Sequence, residues 1–162
     1  MLSITQFRDL IIRPTLLRID LHSPAAEKLL LGTAIAESDL RYVRQVANGG
    51  HFGPARGFFQ MEPATHDDIW ANYLRYKASL GNRVRRTSSY FSGVHPDADE
   101  MIANAAYACA MARVHYLRRP EALPHEDDLW GIACYWKQWF NTPLGAGTPE
   151  KFIARIGDAL DF

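Results

Sequence analysis

The sequence predicts one mainly α-helical domain, with any strand confined to residues 41–60. Three observations carry this. Helix-start signals recur at Ser23, Asp127–Asp128 and Thr148, and proline follows directly as Pro24 and Pro149. The segment Leu29–Ala36 is uncharged all round, as a helix buried through a core must be. Glycine crowds into a single stretch, at Gly49, Gly50, Gly53 and Gly57, where it breaks helices and permits tight turns.

The elements follow in order. "SITQFRDLIIRPTLLRIDL" reads as two short helices separated by Pro14, which serves as first residue of the second. "HSPAAEKLLLGTAIAESDL" is the clearest helix, with Ser23 as cap and Pro24 at its first position. "RQVANGGHFGPARGFFQ" is a loop or small hairpin. "PATHDDIWANYLRYKAS" is helical, with Ile69, Tyr73 and Tyr76 on one face. "LGNRVRRTSSYFSGVHPDAD" is expected as a polar, mobile connection. "EMIANAAYACAMARVHYLRR" is an alanine-rich helix ended by Pro120. "EDDLWGIACYWKQWFN" is another, with Pro143 after it, and "GTPEKFIARIGDALDF" closes the chain as a short helix.

Composition bounds the function. The 162 residues suit one domain of common size. Eighteen basic residues balance eighteen acidic ones, so no global field recruits nucleic acid or an anionic membrane. No apolar run approaches the ~20 residues of a membrane span. The N-terminal stretch scatters Arg8, Asp9 and Arg13 where a secretion signal would hold an uncharged core. The expectation is a protein that stays where it is made or is carried out by something else. Cys109 and Cys134 sit in apolar helical segments and are expected as small buried thiols.

The chemically informative residue is Glu37, at the end of the apolar segment. Ala34, Thr33 and Leu30 lie three, four and seven residues before it and share its helical face. Burial raises a carboxyl pKa, and the unpaired carbonyls of a helix C-terminus add partial negative charge. Both effects favour a retained proton, which general acid catalysis needs and glycosidic cleavage uses. The plainer alternative is a Glu emerging into water beside Ser38 and Asp39.

A second block sharpens this. Glu37-Ser38 is followed by the glycine-rich connection, Ala55, then Gly57-Phe58-Phe59-Gln60 and Pro63-Ala64-Thr65. This order resembles the soluble lytic transglycosylase family of the lysozyme-like superfamily. The resemblance implies a lysozyme-like helical domain spanning 1–162, with at most a small hairpin or loop at about 41–60. It implies that Glu37 is the single catalytic acid and base, cleaving peptidoglycan glycan strands. Glu37 would protonate the glycosidic oxygen between N-acetylmuramic acid and N-acetylglucosamine. It would then help the muramic acid 6-hydroxyl attack its own anomeric carbon, leaving a 1,6-anhydro end. Ser38, Gly57, Phe58, Gln60, Glu62 and Tyr135 are the implied substrate-binding residues. Gln60 would line the cleft while Gly57 lets the backbone approach the sugar; Gln60 otherwise satisfies loop backbone. Ala133-Cys134-Tyr135 matches part of a later motif, but Trp136 stands where the family has Asn. Tyr135 is the candidate to orient Glu37, with a core tyrosine as its other reading. Tyr116-Leu117 resembles a family pair read as packing.

Glu62 departs from the family, which places an apolar residue there. A second carboxylate would permit muramidase hydrolysis, with Glu62, Asp39, Asp67 and Asp68 as the near candidates. The aromatics Trp130, Tyr135, Trp136, Trp139 and Phe140 read mostly as a core stripe. Arg83, Arg85 and Arg86 read as a solvated basic loop. The six histidines show no helical i, i+4 pair and no His-Cys cluster, and no phosphate-binding glycine motif or nucleophile elbow occurs, so no metal or cofactor is expected. Wall-directed chemistry without a secretion signal points to a bacteriophage setting. The protein would be a virion or tail component, or be made in the host cytoplasm to act on the wall, with residues 1–21 spare for attachment. A structural virion protein with this fold and little activity is the remaining alternative.

Overall fold

A computed structural model describes residues 2–90, 92–142, 145–160 and 162. The chain is mainly helical, with 61% helix against 6% strand, so helices supply the core. Buried side chains from Phe7 to Leu160 form one contiguous cluster.

The N-terminal helices are not two separate pieces. α1 (Ile4–Phe7) runs through a π-turn (Arg8–Ile12) into α2 (Arg13–Arg18) with helical dihedrals at each junction. Pro14 lacks the N–H that an ordinary turn would use, and the widened turn just before it carries the Arg13 N–H to the Arg8 carbonyl. Nor is this arm spare. Phe7, Ile12, Leu16 and Ile19 are buried in the core, and only the outer face, with Leu10 and Leu17, is exposed.

α3 (Pro24–Ser38) is the central helix. Ser23 Oγ accepts from the Ala26 N–H and Pro24 occupies the first turn, as the sequence predicts. Ala25 to Ile35 are buried, because the N-terminal arm and three later helices surround them. Gly32 has a packing reason. A Cβ there would lie 2.5 Å from Phe152 and 2.8 Å from Ile156, so α9 (Pro149–Ile156) crosses α3 at this point.

The glycine-rich stretch forms a two-stranded antiparallel hairpin, β1 (Arg44–Val46) and β2 (Phe52–Arg56), with a register irregularity between Arg44 and Val46. Val46 and Phe52 on it are exposed.

α4 (Pro63–Asn72) is followed by a 3-10 turn (Leu74–Tyr76) and α5 (Ala78–Arg85). The first part of the expected polar connection is therefore a helix. Leu80 and Val84, one turn apart, are buried, while Arg83 and Arg85 donate to the Ile19 and Val94 carbonyls. The expected alanine-rich helix is broken into α6 (Glu100–Ala103) and α7 (Ala105–Leu117). At the break Asn104 is extended, and its side chain caps α7 by accepting from the Tyr107 N–H. Tyr107 ties α7 to α4: its hydroxyl accepts from Trp70 Nε1 (3.0 Å) and donates to His66 Nε2 (2.7 Å), whose Nδ1–H donates to Asp67 (2.8 Å).

α8 (Leu129–Trp136), capped by Asp128, continues as a second π-turn (Lys137–Asn141). Pro143, expected to end this segment, lies outside the described residues. Thr148 caps α9 and Pro149 opens it, as predicted. Cys109 is fully buried, Cys134 is half-buried, and both are free thiols. Among the described residues no helix is long and apolar enough to cross a membrane.

Candidate active site

Glu37 is the penultimate residue of α3. The helix ends just beyond it because Asp39 and Leu40 both adopt left-handed backbone, at φ 56° and 51°. Such dihedrals in non-glycine residues cost on the order of 1 kcal/mol each and turn the chain sharply toward the hairpin. Asp39 is held by Arg41 (3.2 Å) and Arg155 (3.1 Å). Arg155, from α9, also donates to the Ala36 carbonyl (3.2 Å), placing a cation at the negative end of the α3 dipole.

The Glu37 carboxyl is half-buried and, among the described residues, receives one hydrogen bond, from the indole N–H of Trp136 to Oε1 at 3.0 Å. Burial raises its pKa above the ordinary carboxyl value. The Trp136 donor and the Arg155 charge oppose that rise without cancelling it.

A second carboxylate on the same helix shows how much the partners matter. Glu27 is also buried, but Arg13 grips both of its oxygens (2.6 and 2.9 Å) and His22 reaches Oε1 (2.6 Å). Burial works against its charge too, yet these partners prevail and hold its pKa below the ordinary value. One helix thus lowers the pKa of a carboxyl at its first turn and raises that of one at its last.

Trp136 is 4% exposed and fixed in place by its ring neighbour Phe152, 4.8 Å away. Behind Glu37, one turn back along α3, Thr33 Oγ donates to the Leu29 carbonyl (2.7 Å). Its single hydrogen is thereby spent, so Tyr116 donates to Thr33 across 2.8 Å. Tyr116 is fully buried and serves packing.

Tyr135 does not reach Glu37. Its hydroxyl donates to the Glu121 carbonyl (2.9 Å) and its ring lies against Tyr116, 5.6 Å away. One residue along a helix rotates the side chain by about 100°, and Trp136 rather than Tyr135 faces α3. Ser38 is buried with its hydroxyl donating to the Ala34 carbonyl (2.9 Å), so that donor is used within the helix. Gly57 has φ +69°, and a Cβ on it would meet the Met101 carbonyl at 2.5 Å and Ala108 at 3.1 Å. Its close approach is to α6 and α7, not to an open trough. Phe58 is half-buried edge-on to Phe7, with ring centres 5.2 Å apart.

Gln60 and Glu62 do come together, on a groove of about 410 Å³ also lined by Thr65, His115, Arg118 and Trp139. Gln60 is left-handed, at φ 48°, and spends one amide N–H on the Gly57 carbonyl (2.8 Å). Its second N–H and its carbonyl remain. Glu62 is exposed at the N-terminus of α4 and makes no side-chain cap bond. Glu37 is not among the residues lining this groove.

His115 carries the groove's other titratable ring. Its Nε2–H donates to the Trp139 carbonyl (2.8 Å), which leaves Nδ1 to accept from Arg118 (3.3 Å). Burial, reinforced by the Arg119 and Arg118 charges, pulls its pKa down to about 4. Arg118 is itself paired with Asp68. Sequence reasoning named neither Trp136 as a partner of Glu37 nor Arg155 and His115 as parts of the surroundings. Trp136 had a signal, the departure from the expected Asn. Arg155 had none, being 118 residues along the chain from Glu37.

Among the described residues no three His, Cys, Asp or Glu side chains are placed to hold a metal ion. Comparison with protein-family models, with curated proteins and with solved structures returned no match.

Proposed function

We propose that this chain is a lysozyme-like domain that cleaves peptidoglycan glycan strands, with Glu37 as the general acid. The observation that carries the reading is the Glu37 carboxyl itself: half-buried, raised in pKa and met by one neutral donor at the end of a buried helix. The order of the Glu37-Ser38, Gly57–Gln60 and Pro63–Thr65 blocks supports it.

Protonated Glu37 gives its proton to the glycosidic oxygen as that bond breaks. The carboxylate left behind is stabilised by the Trp136 N–H and by the Arg155 charge. It then accepts the proton of the muramic acid 6-hydroxyl as that oxygen bonds to the anomeric carbon. Glu37 ends protonated, ready for another cycle, and the product carries an anhydro end. Such a route needs one carboxyl. Asp39, Asp67 and Asp68 are engaged by Arg41 and Arg155, by His66, and by Arg118 respectively. Glu62 makes no ion pair among the described residues, which leaves hydrolysis with Glu62 as base as the second reading.

The groove beside Gln60 would hold sugar hydroxyls or acetamido groups through the free half of its amide. Attachment to a virion or tail would use the exposed outer face of α1 and α2, at Leu10 and Leu17.

The test is digestion of peptidoglycan sacculi, with soluble fragments identified by mass. Anhydro-ended fragments from the parent and none from Glu37→Gln are expected. Reducing ends that disappear in Glu62→Gln select the hydrolytic reading. No release by the parent rejects both in favour of a structural virion protein.

A further inference from the structure

Arg113, on the inner face of α7, is 7% exposed. Among the described residues its guanidinium makes no hydrogen bond and no ion pair, and its Nε is buried without a partner. A cation withdrawn from water needs a counter-charge, and removing or omitting one partner of a buried pair is strongly unfavourable. Burial lowers the Arg113 pKa, yet guanidinium stays charged at neutral pH.

The guanidinium lines a pocket of about 320 Å³. Arg119 also lines it. Its Nε is also buried without a partner, but one terminal nitrogen lies 3.2 Å from His115 Nε2 and its plane 4.9 Å over the Trp139 ring, both on the Gln60 groove. The remaining wall is largely apolar, formed by Tyr116, Leu117, Leu123 and the ring of Tyr135. Glu121 is at the exposed rim. Its main-chain carbonyl is taken by Tyr135, and its carboxylate is not within ion-pairing distance of either arginine.

Neither Glu37 nor Gln60 lines this pocket, so the inference stands apart from the glycosidase reading. We infer that the Arg113 pocket binds a small organic carboxylate, the Arg113 guanidinium facing its oxygens and the apolar wall receiving a short hydrocarbon group. The fork of guanidinium N–H donors matches a planar carboxylate in two-pronged fashion, and the apolar lining discriminates against bare inorganic anions. The volume is at the small end of ligand sites. The carboxylate belongs either to a free short-chain acid or to the C-terminus of a peptide ending in a small apolar residue.

The experiment titrates the whole chain at pH 7 with butyrate and, separately, with N-acetyl-alanine. Sodium phosphate and sodium chloride at matched ionic strength are the controls. Arginine Nε–Hε resonances and Tm are followed together. The expected result is a saturable shift of the Arg113 resonance and a rise in Tm, with butyrate and N-acetyl-alanine exceeding both controls. Tighter binding of N-acetyl-alanine assigns the peptide terminus, and tighter binding of butyrate assigns the free acid. Arg113→Met is expected to be at least as stable as the parent without ligand and to lose the Tm rise. Should that variant fail to fold, Arg113→Lys keeps the charge without the fork and is expected to bind at least tenfold more weakly. Glu121→Gln, which removes the rim charge opposing an anion, is expected to bind more tightly. Equal response to all four salts means an adventitious ion only and overturns the proposal. Parent-like binding in Arg113→Met or Arg113→Lys overturns it as well.

Discussion

The indole N–H of Trp136 donates to Oε1 of Glu37 across 3.0 Å. The donor comes from the residue at which the chain departs from the transglycosylase pattern. Indole is a donor only, so it stabilises the carboxylate and offers nothing to accept a proton from the acid. Its effect is to temper a pKa that burial alone would raise further.

Removing the charge at position 37 tests both chemistry and stability. Glu37→Gln keeps an oxygen for Trp136 and is expected to abolish glycan cleavage. The raised folded-state pKa means that the folded protein binds the Glu37 proton more tightly than the unfolded chain does. Stability from this group therefore falls as pH rises from the ordinary carboxyl value through the raised one. The variant is expected to gain on the order of 1 kcal/mol at neutral pH and to lose that advantage below pH ~4. Denaturant unfolding of both proteins at acid and neutral pH is the measurement. A variant less stable than its parent at pH 7 would contradict the dry carboxyl.

Trp136→Phe and Tyr135→Phe separate the two aromatic neighbours. Phenylalanine at 136 keeps the ring beside Phe152 but removes the donor, so the Glu37 pKa is expected to rise further. The basic limb of the pH–rate profile should move to higher pH, and kcat/KM should fall about 10- to 100-fold. Tyr135→Phe removes only the bond to the Glu121 carbonyl. It should cost about 1 kcal/mol of stability and leave the profile in place.

Gly32→Ala sets two effects of opposite sign against each other. Helix propensity favours alanine by about 1 kcal/mol. The new Cβ, however, would sit 2.5 Å from Phe152, and overpacking costs about 1–3 kcal/mol. The expected net effect is a loss of up to about 2 kcal/mol, read from the denaturation midpoint at unchanged m-value. A shift in tryptophan fluorescence should accompany it, because Phe152 packs on Trp136.

His115 sets an acid limit. Its folded-state pKa of about 4 lies below the ordinary 6.5, so the unfolded chain binds the proton more readily. Stability from this residue is complete above pH ~6.5 and is lost as pH falls toward 4. The gap corresponds to on the order of 3 kcal/mol. The groups facing the ring are Arg118, Arg119 and, through Arg118, Asp68. His115→Gln is expected to be less stable than the parent at pH 7, with that difference shrinking or reversing by pH 4. A constant difference across the range would show that the imidazole titrates alike in the folded and unfolded chain, without the shift that burial causes.

What the sequence disclosed was mainly local. Ser23 with Pro24, Asp128, and Thr148 with Pro149 announce helix starts through hydrogen bonds made within three residues, and each is found where expected. The hairpin followed from glycine density. α5 was hidden because Leu80 and Val84 are only two apolar positions among arginines, and their burial is settled by neighbours brought from elsewhere. Asn104 carried its capping chemistry in plain view, but an alanine-rich run on both sides masked it. The π-turns have no local propensity signal. At the site, the position of Glu37 on its helix was legible, whereas the choice of Trp136 over Tyr135 depended on how α8 is rotated against α3. Gly57 was read for openness because glycine at a loop looks alike whether ligand or protein backbone approaches it.

The second π-turn separates two parts of the molecule that an unbroken helix would bind together. Trp136 precedes it, whereas Trp139, Phe140 and Asn141, on the groove wall, lie within it. Losing one residue from Lys137–Asn141 would restore ordinary helical winding and swing everything downstream by about 100°. The indole bonded to Glu37 would keep its address while the trough beside Gln60 was rebuilt with a different lining. Length variation at this single turn would thus re-line the trough while leaving the Trp136–Glu37 bond untouched.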